Sequence, residues 1–233
     1  MTRSTCSRHA APSVPSRFAL AEADPIAAAI VEHLAPFCER ICVAGSLRRR
    51  AATIGDVELV VIPAYRQQIL PLFADAGVMP TAAPIDCLDE ELADMLSKLE
   101  VRKRRGRNGR TFWGPSDKRM VWRHGAASTD WIGVDVFGAT VETWGAKLCL
   151  RTGPWELSSR LVTPRARGGL MPDDLQFTEG GLYRFDTQTN ARFRTFVATP
   201  DEATLFRELG LPYVAPEHRT PTTFGGMRRG YAP

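Results

Sequence analysis

Little in this chain of 233 residues points to the commonest covalent or metal frameworks. The five cysteines, Cys6, Cys38, Cys42, Cys87 and Cys149, form no C-x-x-C pair, and no His-x-His spacing occurs. Neither a structural zinc site nor a disulfide framework is therefore expected, and a reducing cytoplasm fits. No run approaches the ~18 apolar residues of a membrane span, and the N-terminal MTRSTCSRHAAPSVPS has no apolar core of the signal-peptide kind. Neither membrane insertion nor secretion is expected. Charge of one sign does not dominate either: Lys and Arg number 30, Asp and Glu 26, for a net charge of +4. Any polyanionic partner must therefore be argued from local clusters. What the chain does have is 44% apolar residues, enough for a substantial core.

Residues 1–16 and 220–233 are polar, proline-dotted and aperiodic, and read as disordered ends. Between them, Asp24-Pro25 opens a helix with Ile26, Ile30, Leu34 and Phe37 on one face. RICVAGS and DVELVVIP read as strands, with room for one helical turn in SLRRRAATI between them. Helices are expected over about 66–76 and 88–99, the second with Leu88, Leu92, Leu96 and Leu99 as its apolar stripe. KRMVW and DWIGVDVFG read as strands. Beyond a break near 138–143 come two helices, WGAKLCL and WELSSRLV, then a hairpin-like GGLYRFD. Thr199-Pro200-Asp201-Glu202 reads as a capping box, with Thr199 as cap, for a helix ending at Gly210. The fold class is α+β, with one lobe over 17–142 and a smaller one over 143–219.

The stretch GSLRRRAATIGDVELVVIP (residues 45–63) carries the chemistry. Strand residues two apart share a face, so Asp56 and Glu58 project together while Val57 and Leu59 face inward. Solvated alternating strands carry acids routinely. Here, however, the pair follows Gly45-Ser46, whose backbone N–H groups and hydroxyl suit a phosphate, and arginines one turn on that can grip it. Asp135, between Val134 and Val136, supplies a third acid on a strand, with Asp130 as the next candidate. Three carboxylates on adjacent strands suit one or two Mg²⁺ ions, which prefer carboxylate oxygens completed by substrate phosphates, with Mn²⁺ as a substitute.

Gly45-Ser46, Arg49, Gly55-Asp56-x-Glu58 and the later h-Asp135-h resemble the nucleotidyltransferase signature GS…G-D-x-[DE]…h-D-h. The arginine cluster is most similar to family X DNA polymerases of the polymerase β type. Arg151-Thr152-Gly153 stands where that family has its T-G-S turn. LFRELGLPYVAPEHR (205–219) resembles its thumb ending F-x-x-L-G-L-x-Y-x-x-P-x-x-R. The resemblance implies a polymerase β-like palm, a mixed β-sheet with flanking helices, and a small C-terminal thumb-like α/β lobe. It also implies nucleotidyl transfer to a DNA 3′-hydroxyl with release of pyrophosphate, as in gap filling or repair. Asp56, Glu58 and Asp135 would be the catalytic metal ligands, and Gly45, Ser46, Arg49, Gly55, Thr152 and Gly153 the nucleotide site.

The chain departs from that pattern at three points. Glu58 stands where most of these polymerases have aspartate, the N-terminal lyase and helix-hairpin-helix elements are not expected here, and Leu150-Arg151 replace an aromatic pair that guards against ribonucleotides. For DNA contact the sequence offers RKRRGRNGR, with Arg102, Lys103, Arg104, Arg105, Arg107 and Arg110, followed by Phe112, Trp113, Lys118, Arg119, Trp122 and Arg123. Trp155 either approaches a base or packs inside the thumb-like lobe. The expected partners are primer/template or gapped DNA and a nucleoside triphosphate, in a cytoplasmic setting associated with nucleoid or viral DNA. The competing readings are template-independent, RNA- or protein-directed nucleotidyl transfer, and a nucleic-acid-binding protein with a vestigial site.

Overall fold

The protein is described by a computed structural model covering residues 17–67, 83–106, 109–127, 130–185 and 194–225. In chain order the elements are β1 (Phe18–Ala19), α1 (Leu20–Leu34), β2 (Cys38–Val43), α2 (Gly45–Arg48), β3 (Thr53–Ile54) and β4 (Val57–Pro63). Then come β5 (Tyr65–Arg66), β6 (Ile85–Asp86), α3 (Cys87–Ser97), β7 (Val101–Lys103), β8 (Asp117–Arg123) and β9 (Trp131–Gly138). The C-terminal part adds α4 (Trp144–Thr152), α5 (Trp155–Leu161), β10 (Leu175–Thr178), β11 (Gly181–Phe185), β12 (Arg194–Val197) and α6 (Glu202–Glu208). The class is mixed α+β, as expected.

The main sheet has the order β2-β4-β9-β8-β7, with β4 and β9 parallel and every other pairing antiparallel. Side-chain alternation divides its faces. Val57, Leu59, Val61, Val134, Val136 and Met120 lie in the core built with Ala27, Ile30 and Leu34 of α1 and Leu88, Leu92 and Met95 of α3. On the opposite face Val60, Ile62 and Phe137 meet Trp144 and Leu148 of α4. The other side of α4, at Ala146 and Cys149, joins a second core with Leu157, Leu161, Leu182, Leu205 and Phe206. Helix α4 is thus the wall shared by the sheet and the C-terminal elements.

Several boundaries differ from expectation for local reasons. Helix α1 starts at Leu20, not at Asp24, because Glu22 reaches back to accept from the Ala19 N–H at 2.9 Å; Pro25 then lies inside the helix. Helix α3 is capped by Asp86, which accepts from the Asp89 N–H, and it ends at Ser97. Leu99, placed on its stripe by sequence, has left-handed backbone and is 53% exposed. The cap of α6 is Asp201, accepting from the Thr204 N–H at 2.7 Å, and not Thr199, whose backbone instead ties to Glu142 and Gly145. Of the helix expected over 66–76, Arg66 is in strand β5 and the part from 68 lies outside the described residues. Residues 1–16 and 226–233 also lie outside them. Residues 220–225 form hydrogen-bonded turns held by Arg160, which donates to the Thr223 and Phe224 carbonyls, so the expected tail boundary at 220 comes too early.

Gly145 marks the closest approach of α4 to the segment entering α6. A Cβ on it would collide with the backbone carbonyl of Asp201, which cannot swing aside as a side-chain tip can. Gly145→Ala is expected to lower stability by about 1–3 kcal/mol in urea denaturation. Gly114→Ala, whose Cβ meets nothing within 4 Å, is expected to stay within about 0.5 kcal/mol of the parent.

Candidate active site

The three acids meet because β4 and β9 run parallel in a register that sets Glu58 directly beside Asp135. Both lie on the face whose apolar part, at Val60, Ile62 and Phe137, is covered by α4. Asp56 precedes β4 by one residue and shares the same surroundings. Asp130, the alternative third acid, is elsewhere: it closes the turn before β9 by accepting from the Ala127 N–H at 2.8 Å.

Glu58 is wedged under the start of α2. Gly45 has left-handed backbone at φ 62°, and a Cβ there would overlap the Glu58 carboxylate, so glycine is required twice over. The Ala44 N–H donates to the Glu58 carbonyl at 2.7 Å, locking the strand-to-helix turn onto β4. Ser46 follows in the first turn of α2, half-buried. Gly55 needs no such explanation, since a Cβ there meets nothing within 4 Å.

Two arginines of α2 and its cap reach into the C-terminal elements. Arg49 donates to the Thr152 carbonyl, and its guanidinium lies 3.0 Å from where a Gly153 Cβ would stand. Arg48 donates to the Thr152 hydroxyl at 2.8 Å and grips Glu202 through both nitrogens, at 2.8 and 2.6 Å. Glu202 also accepts from fully buried Arg219 at 2.8 Å. Burial works to raise the Glu202 carboxyl, but the hydrogen bonds from Arg48 and Arg219 outweigh it and hold the pKa below the ordinary value. Sequence reading took Glu202 for half of a capping box. Its real partners are 154 and 17 residues away, beyond any local signal.

Part of the cationic run is used inside the protein. Arg104, expected to face DNA, instead points into the acids: one nitrogen is 3.3 Å from Asp56 Oδ2 and 2.5 Å from Asp135 Oδ1. Arg119 Nε approaches Asp135 Oδ2 at 3.4 Å. Arg102 stacks over Trp131, Lys103 over Trp113 and Arg119 over Phe112. Buried Lys118 pairs with Asp89, and Arg123 donates to the Gly125 and Ala126 carbonyls. Lys103, Arg105 and Arg110 are exposed on the hairpin, and Arg107 lies outside the described residues.

Beside the Thr152-Gly153 turn opens a cavity of about 620 Å³ lined by Lys147, Leu150, Arg151, Trp155, Ser158 and Phe177 among others. Arg151 lies 3.7 Å over the Phe137 ring and 3.7 Å from Asp117. Trp155 is 77% exposed, which removes the reading of it as a buried aromatic.

Burial and neighbouring negative charge both act on the acids. Burial, then Asp56 and Asp135, push Glu58 up to about 7 against the pull of Arg151 and Arg49. Asp135 is raised as well, chiefly by burial, with Arg104 and Arg119 opposing. Among the described residues, no three or more His, Cys, Asp or Glu side chains form a ready-made metal-binding group. A guanidinium nitrogen takes the space on which Asp56 and Asp135 converge. Hard carboxylate oxygens gathered around one positive centre are of the donor type that divalent ions take.

A scan of the chain against protein-family models gives no match, and a search of curated proteins gives none either. Among the described residues no helix is long and apolar enough to cross a membrane.

Two outcomes are expected. In metal-free buffer the folded protein keeps Glu58 protonated towards pH 7, whereas an unfolded chain releases that proton near 4.5. Its contribution is therefore full below pH 4.5 and lost as pH rises through about 7. Relative to Glu58→Gln, the parent should lose on the order of 3 kcal/mol across that window, read by urea denaturation at each pH. Glu202→Ala strands buried Arg219 and half-buried Arg48 and should cost about 3–5 kcal/mol in the same measurement at neutral pH.

Proposed function

We propose that the chain is a metal-dependent nucleotidyltransferase with a polymerase β-like palm and a thumb-like C-terminal lobe. It adds a nucleotide from a (deoxy)nucleoside triphosphate to a DNA 3′-hydroxyl and releases pyrophosphate. The observation that carries this reading is the register of β4 on β9, which sets Glu58 beside Asp135 with Asp56 against them, next to the Gly45-Ser46 turn. The ties from Arg48 and Arg49 to Thr152 add to it, since they bring the T-G turn to the same place.

In this reading Asp56, Glu58 and Asp135 hold Mg²⁺ or Mn²⁺, which when bound neutralises triphosphate charge and activates the attacking hydroxyl. The chain's own groups do the positioning. Gly45 lets the backbone of α2 approach closely, Ser46 offers its hydroxyl, and Arg49 offers a fixed guanidinium to phosphate oxygens. Asp135, nearly shut off from water, is the acid best placed to orient the 3′-hydroxyl. The cavity beside Gly153, with Trp155 as an aromatic wall and Arg151 as a cation, accommodates the sugar and base. Exposed Lys103, Arg105 and Arg110 supply phosphate contacts for DNA. No protein nucleophile takes part, because the attacking oxygen comes from the primer.

The test is incubation with Mg²⁺ or Mn²⁺, each dNTP or NTP, and labelled gapped, recessed or single-stranded primers. Template-directed incorporation is expected, and Asp135→Ala should lose about 10³-fold or more, matching several kcal/mol of lost charge stabilisation, while DNA binding persists. Untemplated addition favours the template-independent reading, and DNA binding with no incorporation favours a vestigial site. Full incorporation by Asp135→Ala overturns its assignment.

A further inference from the structure

Arg104 belongs to the basic hairpin by sequence and to the acidic cluster by position. Its backbone lies just past β7, where its N–H donates to the Arg119 carbonyl at 2.9 Å. From there the side chain crosses β9 above Gly133, where an added Cβ would stand 2.7 Å from Nη1 and 3.2 Å from the Asp56 Cβ. The absence of a side chain at 133 is what admits it. One nitrogen, Nη2, then serves both acids, at 3.3 Å from Asp56 Oδ2 and 2.5 Å from Asp135 Oδ1. A single positive centre shared by two carboxylates from neighbouring strands is the arrangement that a divalent ion would take for itself. The side chain is 31% exposed, so it is not sealed in, and Arg119 also lies close to Asp135. The same hairpin carries exposed Lys103, Arg105 and Arg110 towards solvent.

We propose that Arg104 is a built-in counter-cation that keeps the place of a divalent ion between Asp56 and Asp135, and that nucleic-acid phosphates draw it off, coupling DNA binding to metal loading. This rests on the reading of those acids as metal ligands. A guanidinium cannot shed its charge, so it must move for a metal to enter. Phosphate oxygens suit it as well as carboxylates do. The coupling is reciprocal: whatever factor DNA adds to metal affinity, metal adds to DNA affinity.

The experiment is calorimetric titration of the full chain with Mn²⁺ alone, for the parent, Arg104→Gln, Gly133→Ala and Arg104→Gln/Asp135→Asn, each checked for native circular dichroism. Gly133→Ala retains the arginine but crowds its tip, at 2.7 Å, more than it crowds the Asp56 Cβ, at 3.2 Å. Arg104→Gln and Gly133→Ala should bind Mn²⁺ about tenfold tighter than the parent, within the usual span of coupled sites, and the double variant should lose binding. Equal or weaker binding by both single variants overturns the counter-cation while leaving the acids as ligands; absence of Mn²⁺ binding in all proteins overturns both. Fluorescence anisotropy with a labelled single-stranded oligonucleotide, with and without Mn²⁺ at fixed ionic strength, tests the second half. Mn²⁺ should tighten DNA binding by the parent more than by Arg104→Gln, and an identical ratio in the two proteins overturns the coupling.

Discussion

The parallel pairing of β4 with β9 is the constraint on which the rest depends. Neighbouring strands lie about 4.8 Å apart, so setting Glu58 opposite Asp135 forces two carboxylates together on one face. The pairing is held from the other face, where Val57, Leu59, Val134 and Val136 are buried against α1 and α3. A slip of one residue would turn those valines outward and the acids into the core, so the hydrophobic pattern enforces the charge crowding. Burial first, and then the charges of Asp56 and Asp135, raise the Glu58 carboxyl to about 7 in that setting.

The crowding is balanced by cations from four different parts of the chain. Arg104 comes from the hairpin after β7, Arg119 from β8, Arg49 from the end of α2, and Arg151 from α4. Two of them are anchored elsewhere as well: Arg49 on the Thr152 carbonyl, Arg151 on Phe137 and Asp117. The acids therefore organise the surrounding elements and are not a detachable decoration of the sheet.

A second ionic knot, away from the acids, ties the C-terminal elements to the sheet. Glu202 sits between Arg48 and Arg219, all three largely withdrawn from water. Buried ion pairs gain little over apolar packing, but losing one member is costly, so such a knot favours a single relative arrangement of the parts it joins. Here it fixes α2, and with it Ser46 and Arg49, against the Thr152-Gly153 turn.

By itself the sequence determined what depends on neighbours along the chain. The two-residue period put Asp56 and Glu58 on one face with valine and leucine on the other, and the Gly45-Ser46 turn, the single helical turn after it and the strand around Asp135 were all legible. Helix ends were less so, because α1, α3 and α6 take caps from Glu22, Asp86 and Asp201 that compete closely with other candidates. The fates of individual charges were not legible at all. Arg104 among the acids, Lys118 on Asp89 and Glu202 between two arginines each depend on a partner at least 17 residues away. Only the tertiary structure decided those, because an ionic side chain takes the nearest opposite charge in space, and what lies nearest is set by strand register and helix packing.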